Sequence, residues 1–438
     1  MKLNVKTVKP KVYNHANQRA TGFKADKELK RAVLSCLLWE DTFYENGQSI
    51  ADRIASLIKE VDPIIVGALA IDARTKYKLR HVPLLIAREM ARIDTHKSYV
   101  ADVLEQIIQR PDELTEFLAI YWKDGRQTLS SQVKKGLARA FRKFDEFQLA
   151  KYNRDGAIKL RDVLFLSHAK PVNKEQEKVW KKLIDGKLAT PDTWETELSA
   201  GKDKKATFTR LIEEGKLGGL AMIRNLRNMI ESRVANSVIK KGIASIDTKR
   251  IFPFRFITAA KFGPAFESDL EVKLYDCLKN RKKLSGRTVV LVDVSGSMEY
   301  NLSTMSEATR ITAGCGLAIM ARELCEDVAI YTFSDDLVQV PSRRGFALSE
   351  AINKSQRHNG TALYDAVRKL KNLEEFDRLI IITDEQSTDS GRLDTKNTYV
   401  LNVAGHANGI NHESKVTRID GWSEAVLDYI AEVESESD

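Results

Sequence analysis

Asp293, Ser295 and Ser297 alternate along the chain directly after the apolar run Val289-Val290-Leu291-Val292. One carboxylate and two hydroxyls are hard oxygen donors. They make a poor site for a thiophilic metal and a reasonable partial shell for Mg²⁺, which keeps several waters and needs few protein ligands. A β-branched apolar run suits a strand buried on both faces of a parallel sheet, so the three side chains fall at its carboxyl end, where open α/β sheets bind ligands. Gly296 lets the backbone turn between the serines. The same pattern also occurs in ordinary strand-to-helix turns with a serine cap, so the rest of the chain has to supply the remaining donors. Arg378-Leu379-Ile380-Ile381-Ile382-Thr383-Asp384 is a second apolar strand ending in an acid, and Asn359-Gly360-Thr361-Ala362-Leu363 between the two is a Gly-Thr loop opening a helix.

With these three pieces in order, the carboxyl-terminal part resembles a von Willebrand factor A domain with a metal-ion-dependent adhesion site. The resemblance implies a divalent metal ion, Mg²⁺ foremost, held directly or through water by Asp293, Ser295, Ser297, Thr361 and Asp384. The texture from Arg287 onward supports it. Strands ending at Asp293, over Val328 to Phe333, ending at Asp384 and over Thr398 to Val403 alternate with helices at Thr304 to Leu324, Ala347 to Lys354, Leu363 to Leu370 and Ser423 to Val433. That alternation predicts an α/β doubly wound parallel sheet over 287–438.

The preceding 286 residues read differently. Apolar residues at Leu29, Ala32, Val33, Cys36 and Leu37 follow one stripe of an amphipathic helix, and Ile50, Ile54, Leu57, Ile58 and Val61 repeat the pattern. Further helical segments follow to Leu278, including Ser131 to Phe144, Leu160 to Ser167 and Leu220 to Ile230, separated by Pro, Gly and Asp/Asn punctuation. An array of short helices without a strict period predicts degenerate HEAT-like repeats, with a single large bundle as the alternative. The expected organisation is a tail over 1–14, the helical array over 15–286 and the A-like domain over 287–438, joined by a basic linker from Lys279 to Gly286 too short to act as a free tether.

The 438 residues are 43% hydrophobic and 30% charged, ordinary for a globular chain, and no apolar run reaches the length of a membrane helix. The polar, basic amino terminus has no secretory character, and the four cysteines, Cys36, Cys277, Cys315 and Cys325, are scattered through apolar helical contexts. They read as free thiols of a reducing compartment, so a cytoplasmic location is expected. The net charge of +9 hides a division: residues 287–438 carry 15 Lys and Arg against 25 Asp and Glu, or −10, which leaves +19 on the first 286. That asymmetry points to a polyanion partner for the helical part, nucleic acid first and an anionic membrane surface second.

The basic residues have a pattern. On the segment Ser131 to Phe144, Val133, Leu137, Ala140, Phe141 and Phe144 form the buried stripe, while Lys135, Arg139, Arg142 and Lys143 run along another face at helical spacing. Like charges so placed repel, and a purely structural helix would relieve them with Glu. Lys151, Arg154, Lys159, Arg161, His168 and Lys170 follow, with Tyr152 among them, which describes a phosphate-reading face with stacking groups. A merely solvated basic helix is the plainer alternative.

Five further segments carry a second resemblance: Asp41 to Gly47, Leu79 to Leu85, Leu160 to Pro171, Ala221 to Leu226 and Arg250 to Phe254. They are similar to parts of the TROVE module. Followed by an A domain, that module defines the Ro autoantigen family of ring-shaped RNA-binding proteins, here as a bacterial or phage-type member. The resemblance implies HEAT-like helices curved into a monomeric ring closed by the A domain. It implies small structured non-coding RNA of the Y class on a basic outer surface, single-stranded 3′ ends of misfolded RNA in the cavity, and handover to a 3′-to-5′ exoribonuclease. Lys151 and His168 best match the family's outer RNA positions; Arg154 is offset by about one residue, and the chain is shorter than animal members.

The expected function is therefore that of a non-enzymatic RNA-binding ring protein in RNA quality control or a ribonucleoprotein scaffold, contacting RNA through Lys135, Arg139, Arg142, Lys151, Arg154, Arg161, His168 and Lys170. A metal-dependent protein-adhesion scaffold without RNA function is the first rival. A nuclease built on Asp293 and Asp384, with Glu299, Glu385 and Arg378 in support, is the second.

Overall fold

The computed structural model describes residues 25–34, 47–251, 253–279, 281–302, 308–395, 397–403, 416–420 and 426–435. The expected tail, the segment Asp41 to Asn46 and Cys36 lie outside them. The chain forms two compact units, one built on Lys282–Trp422 and the other on Glu45–Arg281 together with Ser423–Asp438.

The helices run α1 (Ala25–Leu34), α2 (Gly47–Ile58), α3 (Pro63–Thr75), α4 (His81–Met90), α5 (Val100–Ile107), α6 (Pro111–Tyr121), α7 (Ser131–Phe141), α8 (Glu146–Tyr152), α9 (Leu160–Ser167), α10 (Lys174–Ile184), α11 (Trp194–Ser199), α12 (Lys204–Glu213), α13 (Gly219–Arg224), α14 (Leu226–Glu231), α15 (Asn236–Ala244), α16 (Pro253–Phe262) and α17 (Glu267–Leu278). Local chemistry sets their ends. Asp62 caps α3 through Ile64 N with Pro63 in the first turn, Ser130 caps α7 through Val133 N, and Asp145 and Gln148 form a reciprocal capping box on α8. The stretch expected as one helix from Leu220 to Ile230 is two, α13 and α14. Buried Asn225 sits between them and donates its side-chain amide to Ala221 O at 3.0 Å, a local bond that competes with helix continuation.

Helices α5 and α7 pack closely against each other. A Cβ on Gly136 would stand 2.8 Å from Leu104 Cβ and 3.0 Å from the Ala101 backbone, so only glycine permits this approach. The same contact consumes charge. Arg139 pairs with Asp102 at 2.5 Å and reaches Glu105 at 3.4 Å, and the Lys143 ammonium caps the carbonyls of Glu105 and Ile108 at the end of α5. The relief that the basic stripe lacks within α7 comes from acids of the neighbouring helix.

The other unit is a six-stranded sheet with β1 (Leu284–Asp293), β2 (Cys325–Phe333), β3 (Leu337–Gln339), β4 (Arg378–Thr383), β5 (Thr398–Asn402) and β6 (Val416–Asp420), in the order β3-β2-β1-β4-β5-β6. Its helices are α18 (Arg310–Leu324), α19 (Gly345–Asn353) and α20 (Leu363–Leu373); α21 (Val426–Ser435) groups with the helical unit, where Asp428 pairs with Arg281 at 2.7 Å. The sheet departs from the wholly parallel one expected from sequence: β3 is an antiparallel edge. Three residues join β2 to β3, far too few for a crossover, which leaves a hairpin as the available connection. β1 begins inside the expected linker, with a register shift between Leu284 and Arg287 where Gly286 adopts φ +77°. α18 starts at Arg310, and residues 304–307 of the longer expected helix are outside the described ones. Val289, Leu291, Leu379 and Ile381 pack with Val367 and Leu370 of α20 on one face of the sheet, and Val292 and Ile382 meet Gly314 of α18 on the other. This two-sided burial is why the runs 289–292 and 379–382 are continuously apolar.

Gly136→Ala should lower stability by about 1–3 kcal/mol through overpacking, against the ~1 kcal/mol that Ala gains over Gly in a free helix. Urea unfolding measures it; a variant as stable as the parent would mean that α5 and α7 are not in this close contact.

Candidate metal site and basic groove

In the strand order the direction of winding reverses between β1 and β4, and Asp293 and Asp384 stand at the carboxyl ends of these neighbours. Both are fully buried. Asp293 Oδ1 accepts from Ser295 N at 2.9 Å and Oδ2 accepts from Thr383 Oγ1 at 2.6 Å. Burial pushes the Asp293 carboxyl up to about 6, with hydrogen bonds from Ser295 and Thr383 opposing and the nearby Asp384 charge adding to the rise. Glu385 follows in the left-handed region at φ +61°, with its N–H donated to Thr383 Oγ1 at 3.0 Å, so the backbone is strained where it turns out of β4.

The Ser295 and Ser297 hydroxyls are 3.2 Å apart. Adjacent ligands of an octahedral Mg²⁺ are about 3.0 Å apart, given metal–oxygen bonds of about 2.1 Å, so this spacing fits such a cation. Thr361 is brought to the same strand ends by the 359–362 loop. Asn359 N donates to Ser334 Oγ at 2.9 Å, Ser334 Oγ donates to Gly360 O at 2.9 Å, and Asn359 O accepts from Gly296 N at 3.3 Å. Thr361 itself is buried, its carbonyl accepting from Thr388 N at 2.8 Å. Among the described residues no group of three or more His, Cys, Asp or Glu could hold a metal ion. The cluster at hand has two carboxylates, and a cation here would take its other protein ligands from hydroxyls.

The residues read as an RNA face separate into two groups and an internal set. Arg139 belongs to the α5 pair described above, and Arg142 Nε donates to Lys170 O at 2.9 Å, tying the end of α7 to the loop after α9. Lys135 and the Lys170 side chain remain exposed. At the start of α9 lie exposed Arg154 and Arg161; with Lys159, whose hydrogen bond is the larger cause, Arg161 holds the Asp155 carboxyl below its ordinary range. Lys151 stands 6.0 Å from the Tyr152 ring, whose other cation is Arg110 at 4.7 Å. His168 terminates α9 in the left-handed conformation at φ +52°, about 10 Å along the helix from Arg161 at 1.5 Å per residue. Its exposed ring lines a groove of about 560 Å³ with Trp122, Arg126, Lys134 and Phe165. Arg126 stacks on Trp122 at 4.9 Å, and the indole N–H is held by Gln127 O at 2.8 Å.

The family model for the TROVE domain matches residues 184–312, from the end of α10 through the Asp293 loop into α18. The chain superposes on the Ro protein (RSR) of Deinococcus radiodurans with a TM-score of 0.66 at 17% identity, over 93% of this chain and 98% of that one. Part of the chain thus matches the TROVE domain model, and its fold is similar to that of a Ro protein. Telomerase protein component 1 of Mus musculus is 34% identical over 93 residues, and that of Rattus norvegicus 27% over 186, covering 20% and 40% of this chain. The chain spans only 4% and 7% of the length of those relatives.

Sequence reasoning missed Trp122, Arg126, Lys134 and Phe165. Phe165 alone left a signal. The buried stripe of α9 is Leu160, Val163, Leu164 and Ser167, and an aromatic off that stripe, here 57% exposed, has no packing reason to be there. Among the described residues no helix is long and apolar enough to cross a membrane.

Asp293 binds its proton more tightly folded than unfolded, so its contribution to stability is full below about pH 4 and is lost as pH rises through about 6. Asp293→Asn keeps the acceptor for Ser295 N and removes the charge. With chelator present, thermal unfolding should find it more stable than the parent above pH 6.5, by up to about 3 kcal/mol, the gap closing toward pH 4. A gap independent of pH would place the carboxyl in the ordinary range.

Proposed function

We propose that this chain is an RNA-binding protein whose helical unit takes small structured non-coding RNA, Y-like in class, and escorts misfolded RNA with single-stranded 3′ ends in RNA quality control. The observation that carries the reading is the groove beside His168. Exposed Phe165 and half-buried Trp122 offer aromatic surface, while Arg126, Lys134 and His168 offer positive charge within the same 560 Å³ space. Unpaired bases stack on aromatic faces and phosphates take the cations, a combination a protein-adhesion surface has no use for. The +19 on the first 286 residues adds long-range attraction for a polyanion.

The adhesion-scaffold alternative draws its support from Arg139, Arg142 and Lys143, whose cations serve helix packing. The two readings share the metal site, at which Asp293, Ser295, Ser297, Thr361 and Asp384 would hold Mg²⁺ for a protein partner such as a 3′-to-5′ exoribonuclease. The chain is proposed to act by binding, in the cytoplasm. The nuclease alternative loses the support expected from Arg378, which is buried at the opposite end of β4, donating to Thr288 Oγ1 at 2.8 Å, roughly 17 Å of strand from the site at 3.3 Å per residue.

Binding of a hairpin RNA with a 3′ tail, followed by fluorescence anisotropy, tests the reading. Phe165→Ala should weaken it by about 1–3 kcal/mol, the loss of one stacked base, and Lys134→Gln should make the affinity less sensitive to salt. If neither substitution changes affinity at any salt concentration, the groove is not the RNA site and the scaffold reading takes its place.

A further inference from the structure

We propose that Arg310 is a built-in cation of the Asp293 and Asp384 site, which a divalent metal ion must displace from Asp384 in order to bind. The inference rests on the metal reading of that site. Arg310 Nη1 lies 2.8 Å from Asp384 Oδ2 and donates to Ser297 O at 3.1 Å. One guanidinium nitrogen thus bridges the end of β4 and the Asp293-Ser295-Ser297 loop, the two lips of the site.

Position argues that this contact is not incidental. Arg310 is the first residue of the fifteen-residue helix α18, capped by Thr309, and a helix N-terminus disfavours a cation because its free N–H groups already present partial positive charge. The Asp384 carboxylate offsets that penalty. The side chain is only 12% exposed, the Tyr300 ring lies 5.4 Å from its guanidinium, and its own backbone N–H is donated to Tyr300 O at 2.9 Å. The guanidinium is therefore held in place from both ends.

Charge and coordination make the two cations alternatives. Both carboxylates are fully buried, so with both ionised the site holds −2, of which Arg310 neutralises one. Mg²⁺ or Mn²⁺ arriving with Arg310 still in place would set +3 against −2 in a desolvated space. A hard cation demands oxygen donors in near-octahedral order, and a guanidinium offers none. Asp384 can serve one or the other, and by linkage whatever strengthens the Arg310 contact weakens metal binding by the same factor.

The test is a Mn²⁺ titration of the full chain by electron paramagnetic resonance, with thermal unfolding in parallel. Arg310→Gln should bind Mn²⁺ at least tenfold more tightly than the parent. It should also melt lower in chelator and gain more from Mn²⁺, since the ion then replaces the missing partner of Asp384. Arg310→Lys, which keeps a charge but not the fork that reaches both lips, should show at least a threefold gain and decides the matter if the glutamine variant does not fold. Equal Mn²⁺ affinity in the parent and the folded variants overturns the Arg310 inference and leaves the metal site standing. No Mn²⁺ binding by the parent, Arg310→Gln or Arg310→Lys overturns both.

Discussion

Asp293 and Asp384 are carried into full burial at the ends of the apolar runs 289–292 and 379–382 of two adjacent strands, and the sheet-bearing unit is arranged around that burden. A carboxylate out of water needs hydrogen-bond donors or a counter-charge. Asp293 receives the Ser295 amide and the Thr383 hydroxyl, and Asp384 receives Arg310. Each donor comes from a different piece of chain: the turn after β1, the last residue of β4, and the first turn of α18. The loop that carries Thr361 is tied in by Ser334 at the end of β2. The ends of three neighbouring strands are thus stitched together by polar contacts above a mainly apolar core.

In the helical unit the comparable constraint is the closeness of α5 and α7. Once Gly136 admits that approach, Arg139 and Lys143 lie over α5 and their charge goes to its acids and its terminal carbonyls. Charge that looks available in the sequence is thereby divided. One part holds helices together, and another, at Lys134, Lys135, Arg126 and His168, stays at the surface. The division follows distance: a long cationic side chain within reach of buried carbonyls satisfies them before it reaches for solvent.

The alternating strands and helices of the carboxyl-terminal unit, the helical texture before it, and the positions of β1, β4 and β5 were legible because burial on both faces leaves a continuous apolar signature. The antiparallel β3 was not, since three half-exposed residues at a sheet edge carry almost no pattern. The break at Asn225 escaped for a related reason: a single side-chain bond to Ala221 O ends the helix without changing the spacing of apolar residues around it.

For the candidate sites the dividing line is sequence distance. The Asp293-Ser295-Ser297 set was determined by the chain itself, because alternate positions on a strand-to-turn segment bring their side chains together whatever surrounds them. That Asp384 meets Arg310, 74 residues away, was decided by tertiary structure alone, as was the gathering of Trp122, Arg126, Lys134, Phe165 and His168 from two helices and a loop. Periodicity reports which face of an element is buried. It carries no information on which exposed groups of different elements share a surface, because that depends on how the helices and strands pack.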